Sequence, residues 1–262
     1  MTASATTPPE GSDRRTGTGA PAGPGTLPEP QVRAMFDRIA RVYDRMNAVM
    51  TVGLDRRWRQ RAADLAEVAP GGRVLDVATG TGDLAFELAR RVTPGGEVVG
   101  ADFSENMLEL ARAKLAAAAA GDVTLRFETA NALALPYRDR QFDAATVGFG
   151  ARNFAQLDRG LAELARVVRP GGRVVVLEIT TPTRPPLSTL LGFWFDRLVP
   201  ALGRLAGDAE AYGYLPNSVR RFPAPELLAA KLYDCGLREV GYRLTAGGII
   251  ALHYGRVPGG AA

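Results

Sequence analysis

A glycine-containing loop between an apolar strand and a helix constrains the fold of this 262-residue chain most. Residues 74–84 read VLDVATGTGDL, so a short apolar run passes Asp76 and meets Gly80 and Gly82 before a helical pattern begins. Glycine lets the backbone approach a ligand closely, and the first N–H groups of the helix are available to bind it. A second apolar run ends at Asp102, twenty residues past Gly82, where a carboxylate can accept both hydroxyls of a ribose. The pattern predicts a nucleoside-cofactor site at the edge of an α/β sheet.

Composition narrows the class of protein. An apolar fraction of 46% allows a sizeable core, and a net charge of +4 with scattered arginines argues against nucleic-acid binding. The chain has one cysteine, Cys235, and one histidine, His253. A single cysteine excludes an internal disulfide framework and a cysteine zinc site, and we interpret both residues as packing residues. No apolar run approaches the roughly 20 residues of a membrane span. We therefore expect a cytoplasmic protein, with peripheral contact at the inner face of the cell membrane left open.

The chain divides into three predicted regions. Residues 1–30 are rich in Thr, Ala, Gly and Pro and carry almost no large apolar side chain, which predicts a disordered tail. Residues 31–70 contain two helical patterns, which predict an N-terminal helical cap. Residues 71–256 form the main domain, with an apolar insertion at about 180–222.

Strand and helix patterns alternate through the main domain. Strands are predicted at 73–77, at a run ending at 102, and at 123–127, 142–147 and 173–179, the last following a turn at 169–172. Two final strands, 237–244 and 249–254, have so short a connection that they must form an antiparallel hairpin. We predict a seven-stranded, mostly parallel Rossmann-like α/β sheet that ends in this hairpin.

The glycine loop leaves two cofactors open. It fits G-x-G-x-x-A, which is also found at nicotinamide sites, but a lone match is weak. Three features favour S-adenosyl-L-methionine and the class I methyltransferase fold. Asp76 can hold the loop N–H groups and lie near a sulfonium; Asp83 is a poor neighbour for a pyrophosphate; and the sheet ends in a hairpin rather than a second mononucleotide half. The alternative is that Asp76 and Asp83 only cap turns, and that Asp102 is an ordinary exposed acid.

Further motifs resemble a known family, the ubiquinone/menaquinone biosynthesis C-methyltransferases, over about residues 33–255. The most specific matches are the opening around Phe36-Asp37 and Tyr43-Asp44 and the run Gly148-Phe149-Gly150-Ala151-Arg152-Asn153. The resemblance implies methylation of demethylmenaquinol to menaquinol, the last step of menaquinone biosynthesis, with S-adenosyl-L-methionine as cofactor. It implies that Thr81, Asp102 and the pair Asn131-Ala132 contact the cofactor, with Gly80 and Gly82 in the loop. A family serine is replaced here by Gly148, which can offer only its backbone.

The implied reaction requires a ring carbon made nucleophilic by loss of a hydroxyl proton. Arg152 and Asn153 follow the fourth strand at the carboxyl edge where ligands bind, and the guanidinium could stabilise the developing phenolate. The alternative is that Arg152 caps a helix or pairs with an acid. Tyr43 in the cap could close over the cofactor or lie in the core.

Partners follow from the insertion and from the resemblance. The apolar segment around Trp194 could cover a prenyl chain, dock on a membrane or simply complete the core. We expect a prenylated quinol substrate, no nucleic acid, and a homodimer as an open alternative. Three competing functions remain: a methyltransferase acting on another small aromatic, a ubiquinone precursor or a lipid; an NAD(P)-dependent oxidoreductase; and a non-catalytic binder.

Overall fold

Seven strands form one mixed sheet in the order β3-β2-β1-β4-β5-β7-β6. The structure is a computed structural model and describes residues 28–51, 53–118, 122–182, 185–194, 197 and 209–259. The strands are β1 (Arg73–Val77), β2 (Gly96–Asp102), β3 (Val123–Thr129), β4 (Phe142–Gly148), β5 (Val168–Ile179), β6 (Arg238–Thr245) and β7 (Ile250–Arg256). Strands β1 to β5 are parallel, and β7 is antiparallel to both β5 and β6. The predicted fold class is confirmed, including the closing hairpin.

Helices cover both faces of the sheet and two of them precede it. They are α1 (Glu29–Thr51), α2 (Asp55–Leu65), α3 (Asp83–Val92), α4 (Glu105–Ala117), α5 (Leu157–Val167), α6 (Leu187–Phe193), α7 (Ala209–Arg221) and α8 (Pro225–Asp234). Helix α1 begins at Glu29, so residues 29 and 30 are helical and do not belong to the tail predicted for residues 1–30. Residues 1–27 lie outside the described part of the chain.

The alternation of side chains along β1 explains why the sheet is covered twice. Val74 packs with α2 and α3 around Trp58, whereas Leu75 packs on the other face with α5 around Leu161. Burying a side chain such as Leu75 stabilises the fold by about 1.5–3 kcal/mol. Since the chain crosses from one face to the other between β1 and β4, the carboxyl ends of these two strands leave a crevice between them.

The segment Arg169-Pro170-Gly171-Gly172 differs from its prediction as a turn. The structure includes it in β5, which begins at Val168 opposite Phe142, and the register with β4 shifts beyond that pair. Gly171 has φ +82, and a Cβ on Gly172 would meet the carbonyl oxygen of Asp143. An irregular strand with a bulge uses glycine where a turn also would, so the composition alone did not separate the two.

The predicted insertion contains α6 and α7, which pack beside α1. Leu191 and Val219 form a small apolar cluster with Met35 of α1, and Trp194 contacts this cluster. The apolar positions Leu198, Val199, Leu202 and Leu205 lie outside the described residues. Among the helices that the structure does describe, none is both long and apolar enough to cross a membrane.

Candidate active site

The glycine loop adopts a conformation that needs glycine at one position and leaves room at another. Gly82 has φ +87, and a Cβ there would lie 2.7 Å from the ring of Phe127. Gly80 has φ +57, and a Cβ on it would meet no atom within 4 Å. The open side of Gly80 is therefore where a ligand can approach the backbone. Helix α3 begins at Asp83, directly after the loop.

Asp102 holds this loop in place. Its Oδ2 accepts the backbone N–H of Gly80 at 2.8 Å, and its Oδ1 accepts that of Ser104 at 2.9 Å. The side chain is buried, and burial raises the pKa of Asp102 to about 6 although hydrogen bonds from the backbone N–H groups of Ser104, Gly80 and Phe103 lower it. Each carboxylate oxygen can accept two hydrogen bonds, so Asp102 retains one acceptor position for a ribose hydroxyl.

Asp76 does not bind the loop N–H groups that it was expected to hold. The loop N–H at Gly80 is held by Asp102, while Asp76 accepts the hydroxyls of Thr79 and Thr146, each at 2.6 Å. Thr146 is its partner in the β1–β4 ladder, which directs the carboxylate toward β4 rather than toward the loop amides. Asp76 lines the cleft and is buried, and burial raises its pKa to about 6.

Asp83 does not stand alone as an anion. Lys114 donates to Asp83 Oδ1 at 2.8 Å and to the Thr81 hydroxyl at 3.0 Å. The expectation that Asp83 is a poor neighbour for a pyrophosphate therefore needs correction, because a lysine on α4 balances its charge. Thr81 is buried and lines the same cleft.

Asn131 and Ala132, after β3, line the cleft beside Asp102. The Asn131 side chain is oriented from both ends: its Oδ1 accepts the N–H of Leu133 at 2.8 Å, and its Nδ2 donates to Glu29 at 2.7 Å. Glu29 is the first residue of α1, so the cap reaches this end of the cleft.

Arg152 and Asn153, which follow β4, have different surroundings: only Asn153 is among the described residues that line the cleft. Arg152 Nη1 lies 2.9 Å from Glu178 Oε2 and also donates to the carbonyl of Phe149; the Arg152 side chain is 7% exposed and that of Glu178 1%. Asn153 lines the cleft, and its Oδ1 accepts the hydroxyl of Tyr214 at 3.1 Å. The ion pair matches the alternative in which Arg152 pairs with an acid, and Arg152 is not among the described residues that line the cleft.

Three further residues that the sequence singled out lie in different places. Gly148 lines the cleft at the end of β4, and a Cβ on it would lie 3.1 Å from Leu84. The backbone of Tyr43 belongs to α1, but its side chain lies outside the described part of the structure. His253 is buried away from the cleft lining, where its Nε2–H donates to the carbonyl of Pro225 at 2.9 Å.

Those of these residues that line it surround one cleft, whose empty volume, counted out to the open solvent at its mouth, is about 910 Å³. Sequence reasoning missed Glu29, Arg59 and Tyr214 in and beside this cleft. Arg59 lies one helical turn after Asp55 on α2, a spacing that could have indicated an ion pair.

Comparison with known proteins places the chain in a family. The model of the ubiE/COQ5 methyltransferase family matches residues 26–257. A Thermus thermophilus protein named demethylmenaquinone methyltransferase is 48% identical over 225 residues, covering 86% of this chain and 100% of that protein. A Geobacter sulfurreducens protein named ubiquinone/menaquinone biosynthesis C-methyltransferase UbiE is 42% identical, covering 86% of this chain and 88% of that protein.

Solved structures agree with the fold at low identity. The cyclase SpnF has a TM-score of 0.66 at 19% identity, covering 90% of this chain and 98% of its own. A SAM dependent methyltransferase from Aquifex aeolicus has a TM-score of 0.52 at 18% identity, covering 88% and 100%. At such identities the likeness shows the fold alone. The match to the family model and the identity to curated relatives go further, and they show that this chain belongs to the ubiE/COQ5 methyltransferase family.

Proposed function

We propose that this protein transfers a methyl group from S-adenosyl-L-methionine to a ring carbon of demethylmenaquinol and so produces menaquinol. The observation that carries the proposal is the 48% identity to the Thermus thermophilus demethylmenaquinone methyltransferase over the whole length of that protein. A Deinococcus radiodurans relative of the same name is 47% identical over 225 residues. Membership of a methyltransferase family leaves no support for the nicotinamide-dependent alternative.

The cleft fits a nucleoside with an amino-acid tail. The side of Gly80 that faces open space allows close backbone approach, and Asp102 retains an acceptor position for a ribose hydroxyl. Asn131 and Ala132 lie where an adenine edge would follow, with the backbone N–H of Ala132 as the donor for the ring. Thr81, Gly82 and Gly148 complete the proposed cofactor contacts. When bound, the cofactor supplies an electrophilic methyl carbon, so the chain itself must supply alignment and an activated ring.

Asp76 is the carboxylate that we place near the sulfonium. It is 1% exposed and is bound by two hydroxyls, so little solvent competes for its charge. An opposite charge nearby favours the ionised carboxylate and lowers its pKa. We infer that cofactor binding and ionisation of Asp76 support each other.

On the acceptor side, we propose that Asn153 contacts the quinol and that Arg152 acts through it. Tyr214 donates to Asn153, and burial raises the pKa of Tyr214, so its hydroxyl remains protonated at neutral pH. Arg152 precedes Asn153 in the chain and is paired with Glu178; we assign it as a positioning residue whose guanidinium favours a developing phenolate. Tyr43 is proposed as a closing residue of the cap, in line with the lining residues Glu29 and Phe36 from the same helix.

Methyl transfer measured with two acceptors tests the function. The purified protein receives S-adenosyl-L-methionine with a labelled methyl group and either demethylmenaquinol or a demethylated ubiquinol precursor. We expect labelled menaquinol from the first, and label in neither product would contradict the proposal. Label in the second as well would support a broader substrate range, which is the second candidate because the 42% identical Geobacter sulfurreducens relative is named for both quinones.

We also infer that residues 31–70 act as a cap on a catalytic domain at 71–256, and that the protein contacts a membrane surface peripherally. Phe193 on α6 is 57% exposed beside the apolar cluster of α1, α6 and α7, which favours contact with a membrane. A homodimer is a separate prediction. Flotation with anionic liposomes compares the parent with Phe193→Asp, and Leu227→Asp on α8 serves as a control of similar exposure. Equal flotation of all three proteins would contradict membrane docking through α6.

A further inference from the structure

We infer that Arg59 binds the carboxylate of the methionine part of the cofactor; this inference rests on the cofactor proposed above. Arg59 lies on α2, its side chain is 9% exposed, and it lines the cleft together with the glycine loop. Among the described residues of the cleft lining it is the only basic one, and the acidic ones are Glu29, Asp76, Asp83 and Asp102. A cleft with one cation and several anions complements a tail that carries one carboxylate beside an ammonium and a sulfonium.

The guanidinium of Arg59 retains donors toward the cleft. Its Nη1 bonds Asp55 on the same helix, while its Nη2 forms an ion pair with Asp83 Oδ2 at 3.7 Å, a distance too long for a hydrogen bond. A guanidinium carries five N–H donors in a planar fork that matches a carboxylate with two parallel bonds. The side facing the loop can therefore receive a carboxylate without breaking the bond to Asp55.

The orientation of this fork is fixed from two directions. The guanidinium carbon lies 5.5 Å from the centre of the Phe149 ring, an arrangement that favours a cation over an aromatic face. Asp55 holds the opposite edge. Since both contacts exist before any ligand binds, little side-chain entropy remains to be lost on binding.

Charges around Arg59 leave it able to accept an anion. Lys114 donates to Asp83 at 2.8 Å, so Asp83 already has a cationic partner. The four groups Asp55, Arg59, Asp83 and Lys114 then carry no net charge as a set. An added carboxylate meets a neutral cluster, and the cationic groups of the same tail lie toward Asp76.

A structural role for Arg59, joining α2 to the loop, would not depend on which ligand is bound. Calorimetry therefore compares S-adenosylhomocysteine with 5′-methylthioadenosine, which lacks the amino-acid portion, and with the decarboxylated analogue of S-adenosylhomocysteine. We expect Arg59→Gln to weaken S-adenosylhomocysteine binding roughly 10- to 100-fold, as for loss of a bond to a charged group. The two ligands without the carboxylate should change by less than about 3-fold, because the bond to Arg59 is absent from them.

Matched variants separate the outcomes. Arg57→Gln, an exposed neighbour on the same helix that does not line the cleft, should leave all three affinities unchanged. Arg59→Lys keeps the charge and should recover part of the preference for S-adenosylhomocysteine. Parallel weakening of all three ligands in Arg59→Gln would overturn the inference. So would equal binding of S-adenosylhomocysteine and its decarboxylated analogue by the unmodified protein, a measurement that needs no variant to fold. Absence of all binding by the unmodified protein would overturn the proposed cofactor itself.

Discussion

The carboxylate of Asp102 accepts the N–H of Gly80 at 2.8 Å and thereby joins the end of β2 to the loop that follows β1. The same carboxylate accepts the N–H of Ser104, the residue that caps α4. One side chain thus shapes the backbone on two neighbouring strand ends and also faces the cleft. Its loss should affect both the loop and the ligand that the loop is proposed to bind.

The first prediction concerns this carboxylate. Asp102→Asn exchanges an acceptor oxygen for an NH₂ group, which cannot accept from Gly80 or from a ribose on that side. We expect S-adenosylhomocysteine to bind roughly 10- to 100-fold more weakly, measured by calorimetry. Asp122→Asn makes the same exchange at an exposed site before β3 and should leave the affinity unchanged. An unaltered affinity in Asp102→Asn would count against its proposed role.

The second prediction concerns how Asp76 makes the folding stability of the ligand-free protein depend on pH. Burial raises its pKa from 3.8 to about 6. The folded state therefore binds this proton more tightly than the unfolded state does. The stabilising contribution of Asp76 is complete below about pH 3.8 and is lost as the pH rises through about 6.

Asp76→Asn removes the ionisable group and with it the loss of folding stability above about pH 6. We expect it to raise the free energy of unfolding at pH 7.5 by about 3 kcal/mol and to give almost no gain near pH 3.8. Chemical denaturation at the two pH values measures the difference, and Asp122→Asn again serves as the control. An equal gain at both pH values would show that ionisation of Asp76 is not the cause. Cofactor affinity should fall in the same variant, because the proposed counter-charge to the sulfonium is gone.

The third prediction compares two glycines of the loop. Gly82→Ala places a Cβ 2.7 Å from the Phe127 ring at φ +87, so we expect a loss of about 2–4 kcal/mol in folding free energy. Gly80→Ala meets no atom within 4 Å at φ +57 and should cost about 1 kcal/mol. Thermal unfolding measures both losses.

For ligand binding the Gly80 substitution should matter more than its stability cost suggests, because its added methyl group occupies the open side of the loop. S-adenosylhomocysteine affinity of Gly80→Ala, compared with that of Ala78→Gly at the other end of the loop, tests this. If Gly80→Ala bound the ligand as tightly as the parent protein, the loop would not be approached from that side.

The sequence predicted the sheet well because strand spacing and turn residues are local signals. The parallel strands, the hairpin and the position of the loop all follow from apolar runs separated by Gly and Pro. The prediction of a turn at Gly171-Gly172 was wrong because turns and bulged strands both use glycine. The extent of the strand was decided by pairing between Val168 and Phe142, which lie far apart in the chain.

Side-chain roles in the cleft were harder to predict, because they depend on which residues meet in space. Asp76 was expected to bind loop amides, but its ladder partner Thr146, 70 residues later, directs it elsewhere. Asp83 was read as an isolated anion, although Lys114 from α4 balances it. Arg59 was missed for the same reason, since Phe149 and Asp83 come from other elements.

The fourth prediction concerns Arg152 and the carboxylate behind it. Arg152→Ala leaves Glu178, 1% exposed, without its cationic partner, and breaking a buried pair in this way costs about 3–5 kcal/mol. Loss of turnover in that variant would therefore not separate chemistry from folding. Glu178 also accepts the N–H groups of Arg152 and Ile179, so its replacement must keep an acceptor.

The double variant Arg152→Met with Glu178→Gln removes both charges and keeps an acceptor for one of these two N–H groups. We expect it to unfold within about 1–2 kcal/mol of the parent protein, because no buried charge is left unpaired, and to bind S-adenosylhomocysteine normally. If Arg152 supports the developing phenolate, turnover should still fall roughly 100-fold, the effect of losing one electrostatic contact of this kind, and its pH profile should move to higher pH. Recovery of turnover together with stability would instead assign Arg152 to the fold, because a purely structural pair can be replaced by any stable neutral one.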